Sequence, residues 1–167
     1  MQLDSLHKLY VHELKDLYSA EHQILEALPK MIKAAADEDL AAALKAHKTQ
    51  TETHVKRLNT LFKELDYKPG GHKCKGVEGL LKEADEVVAD CSDDSVRNAA
   101  IVSMAQRVEH YEMAAYGSAR AFAKQLGRHE DAELLTQTLD EEADSDRKLS
   151  RIAERRLNFT AMMAGKE

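Results

Sequence analysis

The chain has 167 residues, is 43% hydrophobic but only 5% aromatic, contains no Trp, two Pro and seven Gly, and carries a formal charge of −6. That length suits one domain with its own core, and the wealth of Ala, Leu, Glu and Lys is the make-up of long helices. Scattered basic residues argue against a nucleic-acid partner, no window nears the roughly 20 apolar residues of a membrane span, and two Cys with no leader-like opening point to a soluble protein of a reducing cytoplasm.

The first helix is expected from an N-cap at Asp4 or Ser5 to about Ala36, with a local kink rather than a break at Pro29 because the apolar pattern continues through Met31 and Ile32. The second should run from Glu38 to Asp66 and stop before Lys68-Pro69-Gly70-Gly71. A crossover over about 67–92 follows, holding one short amphipathic helix marked by Val77, Leu80, Leu81, Ala84, Val87 and Val88. Asp93 or Asp94 caps the third long helix, which ends at Leu126 before Gly127. The fourth spans about Glu130–Phe159, and the tail over about 163–167 is expected to fray. Two hairpins joined by a crossover make an all-α antiparallel four-helix bundle, one domain over 1–167. The 29 residues from Glu21 to Gln50 and the 30 from Glu112 to Glu142 fit a distant internal repeat of the hairpin.

Bundle helices bury positions spaced alternately three and four apart. Here the buried stripes are Tyr10, Leu14, Leu17, Glu21, Ile24, Leu28, Met31 in the first helix and Leu40, Leu44, His47, Thr51, His54, Leu58, Leu61, Leu65 in the second. The third reads Ile101, Ala105, Val108, Glu112, Ala115, Ala119, Phe122, Leu126, and the fourth Leu135, Leu139, Glu142, Asp146, Leu149, Ala153. Each is broken near its middle by acid or imidazole, so the breaks should meet at one height. Several unpaired carboxylates are too costly to bury in a domain of about 5–15 kcal/mol net stability. No Lys or Arg sits centrally on a stripe, which leaves metal as the natural counter-charge.

Positions one turn away share a face, which adds Glu109 before Glu112 and Gln50 before His54. Glu52 is rotated about 160° from His54 and should face solvent. The candidate ligands are therefore Glu21, Gln50, His54, Glu109, Glu112, Glu142 and Asp146, a carboxylate-rich set that suits a pair of iron or manganese ions. The bland alternatives stay open. The acids could be boundary groups solvated at the surface, and His54 a polar core residue bonded to one of them. His47 reads as a packing residue, Glu141 and His110 as solvent-facing, and Tyr18, Tyr111 and Tyr116 as core packing, the alternative being hydrogen-bond donors to the ligands. His72 and Cys74 read as loop residues that form no zinc spacing with Cys91.

The stretches Asp16-Leu-Tyr-Ser-Ala-Glu21, Val108-Glu-His-Tyr-Glu-Met-Ala-Ala-Tyr-Gly117 and Leu139-Asp-Glu-Glu142 resemble the ferritin-like superfamily, and more closely the bacterial stress-protein family of YciF and YciE. The resemblance implies a ferritin-like bundle, a homodimer and a di-metal site similar to that of rubrerythrin-type proteins. It supplies a fold better than an activity. Two positions depart from the pattern: relatives tend to have Glu at Gln50, and rubrerythrin-like proteins place His at Ser145, three residues after the fourth-helix Glu. His54 and Asp146 are expected to take those places at a slightly different reach. The function so implied is binding of Fe(II) and reaction with dioxygen or peroxide in a stress response. An external electron donor would be needed for repeated turnover, since no rubredoxin-like cysteine quartet is present. The competing reading is a non-enzymatic dimeric structural protein whose metal site is degenerate or serves stability alone.

Overall fold

Three of the long helices begin where a side chain can satisfy their free amides. The computed structural model describes residues 2–164. In it the Ser5 hydroxyl accepts the Lys8 amide at 3.2 Å and starts α1 (Leu6–Ala34), Asp37 accepts the Leu40 amide at 3.0 Å and starts α2 (Glu38–Glu64), and Asp93 takes the Ser95 and Val96 amides and starts α4 (Asp94–Gln125). Helix α1 runs through Pro29 without a break. Helix α2 stops two residues short of the expected Asp66, which adopts the left-handed conformation at φ 55° that ends helical pairing. Gly127, at φ 71°, reverses the chain after α4.

The crossover helix is α3 (Lys75–Asp90), which spans the expected amphipathic stretch from Val77 to Val88 and docks on α1 and α4. Cys74 lies in the loop as expected, and as the N-cap of α3 it anchors the helix. Cys74 is fully buried, its sulfur accepts the Val77 amide, its own amide donates to Ser19 Oγ at 2.9 Å, and its carbonyl accepts from Gln23 Nε2 at 3.0 Å. Gly76 lets α3 approach this closely, because a Cβ there would stand 2.7 Å from the Tyr111 ring.

The fourth long element also departs from expectation. It is α5 (His129–Ile152), then a π-helical turn over Ala153–Leu157, then α6 (Asn158–Ala164). The wider turn keeps Ala153 and Leu157 buried while Arg156 faces outward to Asp37 and Asp39. Of the tail expected to fray, 165–167 lie outside the described residues.

Helix α1 packs on α2 and α4, and α5 packs on the same two, which closes an antiparallel four-helix bundle. The core is not continuous. One apolar cluster gathers Ile24, Leu28, Leu40, Leu44, Ile101 and Leu149 with the inner face of α3, and another gathers Tyr10, Leu14, Leu17, Leu58, Leu61 and Leu135 at the opposite end. Between them lies the level at which all four stripes turn polar. No helix among the described residues is long and apolar enough to cross a membrane.

Candidate metal centre

The helical register brings one polar layer together from four helices. Glu21 follows Leu14 and Leu17 on α1, His47 and His54 lie two turns apart on α2, Glu109 and Glu112 share a face of α4, and Glu142 comes from α5. All six are buried, with Glu21, His54, Glu112 and Glu142 showing no exposed surface. Their donor atoms form two groups, His47, Glu109, Glu112 and Glu142 in one and Glu21, His54 and Glu142 in the other, with the atoms of each group within 4.8 Å of one another. Glu142 belongs to both and could offer an oxygen to each.

The spacings are open rather than hydrogen-bonded. His47 Nδ1 is 3.6 Å from Glu109 Oε1 and 3.8 Å from Glu142 Oε2, while His54 Nδ1 is 3.4 Å from Glu21 Oε1. Donors bonded to one transition-metal ion at about 2.0–2.2 Å sit roughly 3–4 Å apart, so the cluster has the dimensions of such sites. The 2.9 Å approach of His54 Nδ1 to Glu142 Oε1 is close in distance but not aligned as a hydrogen bond, and both atoms remain without a partner. Among the described residues, the buried side-chain oxygens and nitrogens lacking any partner are seven: Glu21 Oε2, His54 Nδ1, Glu109 Oε2, and both oxygens of Glu112 and of Glu142. Every one belongs to this layer. Native interiors satisfy nearly all such atoms, so seven in one place fit a bound cation set.

Electrostatics agree. Burial, reinforced by the charges of Glu142, Glu21 and Glu109, holds the Glu112 carboxyl well above the ordinary glutamate range. Burial does the same to Glu109, with Glu142 adding and His47 opposing. For His54 burial disfavours the charged ring, but Glu142 and Glu21 outweigh it and push the imidazole up to about 10. Burial pushes His47 down, although Glu109 pulls against it. Without metal, the layer keeps its charge low by holding protons.

A supporting set of side chains fixes the orientation of these groups. Glu141 accepts from His54 Nε2 at 2.8 Å, leaving Nδ1 to face the layer, and is itself gripped by both terminal nitrogens of Arg57 at 2.6 and 2.9 Å. That pairing with Arg57 holds the Glu141 carboxyl below its usual range. Tyr116, fully enclosed, donates its hydroxyl to Glu21 Oε1, and Ser145 donates to Glu109 Oε1 at 2.6 Å. Such contacts set which imidazole nitrogen and which carboxylate oxygen point inward.

Of the seven residues expected at the site, Glu21, His54, Glu109, Glu112 and Glu142 lie in the two groups. Asp146 does not. One turn beyond Glu142 it is rotated by about 40°, and its carboxylate accepts from Gln106 at 2.9 Å beside the exposed His110. Gln50 is half-buried on α2 and offers an amide rather than an acid. His47 stands in the first group instead of packing. Its signal lay in the α2 stripe, where it sits a heptad from His54. Glu141 is not solvent-facing but half-buried on Arg57, which no pattern within α5 could reveal. Tyr116 and Tyr111 are packed as expected, yet each also donates to an acid, Glu21 and Asp16 respectively.

The family described as "Domain of unknown function (DUF892)" matches residues 5–162. The chain is 38% identical to protein YciF of Escherichia coli K12 over 162 residues, 96% of this chain and 98% of that one. The crystal structure of that stress protein superposes with a TM-score of 0.89 over 93% of this chain and 98% of that one. YcfI of Rhodopseudomonas palustris, described as a candidate structural protein, is 43% identical with a TM-score of 0.87 over 89% of this chain and 95% of that one. A Xanthomonas campestris protein at 18% identity and TM-score 0.79, spanning 98% of this chain and all of that one, shares the fold.

Proposed function

The chain belongs to the YciF/YciE family of ferritin-like stress proteins, and from that premise we propose that it binds two iron ions, or manganese in their place, and reacts with dioxygen or peroxide. The observation that carries the reading is the set of seven unpartnered atoms confined to one buried layer. His47, Glu109 and Glu112 would hold one ion and Glu21 and His54 the other, with Glu142 between them. Four carboxylates bring four negative charges, which two divalent cations cancel, so the filled layer is close to neutral.

The bound iron would supply electrons, one from each Fe(II) on becoming Fe(III), and these two with two protons take dioxygen to hydrogen peroxide or peroxide to two waters. The chain's own part is positional. The Arg57–Glu141 pair holds His54 with Nδ1 inward, Tyr116 and Ser145 each occupy one carboxylate oxygen, and the unpartnered oxygens of Glu112 and Glu142 would be available as ligands. Because Glu109, Glu112 and His54 hold protons without metal, uptake exchanges protons for cations and tightens as pH rises. The homodimer implied by the family is part of the same proposal, and sedimentation of the full chain would test it.

A second reading has its own observation. His54 forms close contacts with Glu142 and Glu21 and is raised by them, and Ser145 stands where an imidazole would add a ligand. The layer could then serve stability alone, as the description of YcfI as structural suggests. Metal analysis followed by stopped-flow absorbance after anaerobic Fe(II) loading separates the two. About two ions per chain with oxidation on mixing supports the first reading. Retained metal without oxidation supports the second, and less than about one ion with no signal overturns both metal readings.

A further inference from the structure

An apolar cavity of about 40 Å³ lies between α1, α2, α3 and α4 and ends on the metal layer. Ten of its twelve lining residues are apolar, among them Leu28 and Met31 of α1, Leu44 of α2, Leu81 and Ala84 of α3 and Met104 of α4. The other two are His47 and Glu109, both members of the first group. We propose that this cavity is the docking site for dioxygen, so that an apolar diatomic gas rather than peroxide is the oxidant delivered to the His47–Glu109 side of the layer. The proposal rests on the di-metal reading above and names its substrate.

Size and polarity both lead there. One water needs about 10–15 Å³, and a cavity of about 150 Å³ admits benzene. Forty cubic ångströms lies between, enough for a diatomic molecule. A water or peroxide molecule would want two to four polar partners. The cavity has few to give. Glu109 Oε1 is taken by Ser145, whose hydroxyl also lies 3.3 Å from His47 Nδ1, and His47 Nε2 is 3.5 Å from Thr51 Oγ1. That leaves Glu109 Oε2 as the one polar side-chain oxygen of the lining without a partner. Peroxide, with two O–H donors, would enter with hydrogen bonds unmade, a loss of about 1–3 kcal/mol for each buried group. Dioxygen has no such requirement and favours an apolar lining. The outer wall is α3, so the crossover helix has a task besides connection: Leu81 and Ala84 line the cavity beside the metal layer.

Xenon, an apolar probe, tests the cavity in the metal-free full-length protein. Crystals under xenon pressure are expected to show one atom between Leu28, Met31 and Ala84, and Ala84→Leu should abolish it. In the Fe(II)-loaded protein the same substitution should slow oxidation by dioxygen about tenfold while leaving iron stoichiometry and the rate with peroxide unchanged. Ala89→Leu, on the exposed side of α3, should change none of these. If Ala84→Leu does not fold, Leu28→Ala enlarges the cavity and should raise xenon occupancy and the dioxygen rate together. Absence of xenon from the cavity overturns the docking site whatever iron does. A dioxygen rate that stays the same when xenon is excluded overturns it too, as does an equal slowing with peroxide. Failure to retain iron overturns the metal reading and delivery with it, while xenon still decides separately whether the cavity is a gas site.

Discussion

Towards one end of the bundle Asp131 is buried to 2% exposure, accepts the Tyr10 hydroxyl at 2.8 Å and is paired with the Arg128 guanidinium. At mid-height Glu112 is buried completely, and neither of its oxygens has a partner. Both are carboxylates inside the same four helices. The first is a finished structural device, an acid with a phenol and a cation supplied by the chain itself. The second is unfinished, with neighbours that are themselves acids or imidazoles. Burial alone therefore says little about function, and whether the chain supplies the counter-charge separates the two sites.

Metal should widen the contrast most. Mn(II) or Fe(II) at about a thousand times its dissociation constant should raise the unfolding free energy by about 4 kcal/mol, and Glu112→Ala should remove most of that gain in calorimetry. Unchanged metal occupancy in Glu112→Ala would show the ligand assignment to be wrong. Next in size is Asp131→Ala, which strands the Tyr10 hydroxyl in an apolar setting and should cost about 2–3 kcal/mol, equally with and without metal, in urea unfolding.

Glu112→Gln should do the opposite. Glu109 and Glu112 keep protons in the folded metal-free protein at pH values where the unfolded chain has lost them. The folded state therefore binds more protons, and its stability falls as pH rises above the ordinary glutamate value of 4.5. The Gln variant escapes its share of that fall. Its stability relative to wild type should improve progressively as pH rises above 4.5, and saturating metal should erase the advantage. The smallest effect is expected at Arg57. Arg57→Ala frees Glu141 and loosens His54, weakening metal affinity about tenfold in competition titrations while leaving the Tyr10–Asp131 device untouched.

The polar layer was legible because its members break an apolar repeat: Glu21, His54, Glu112 and Glu142 each occupy stripe positions at which a bundle wants Leu. Asp146 occupies one too, and its departure shows the limit of the rule. Stripe membership gives the face to within a few tens of degrees, and Gln106 of the neighbouring helix decided which side the carboxylate took. His47 obeyed the same repeat but does not differ in kind from a packed imidazole until Glu109 and Glu142 are placed beside it.

What the amino-acid order determined by itself was periodic and local: four long helices, caps narrowed to Asp4 or Ser5 and to Asp93 or Asp94, the stop near Gly70 and Gly71, and an inward face that turns polar at one height. Those features follow from one chain segment at a time, through 3.6-residue geometry and the need to satisfy free amides. Only the tertiary structure decided the partners across helices: His54 on Glu141, Glu141 on Arg57, Tyr116 on Glu21, and the apolar cavity that α3 lines beside His47 and Glu109. A side chain's counter-charge is chosen by distance in space, and no spacing along the chain encodes it.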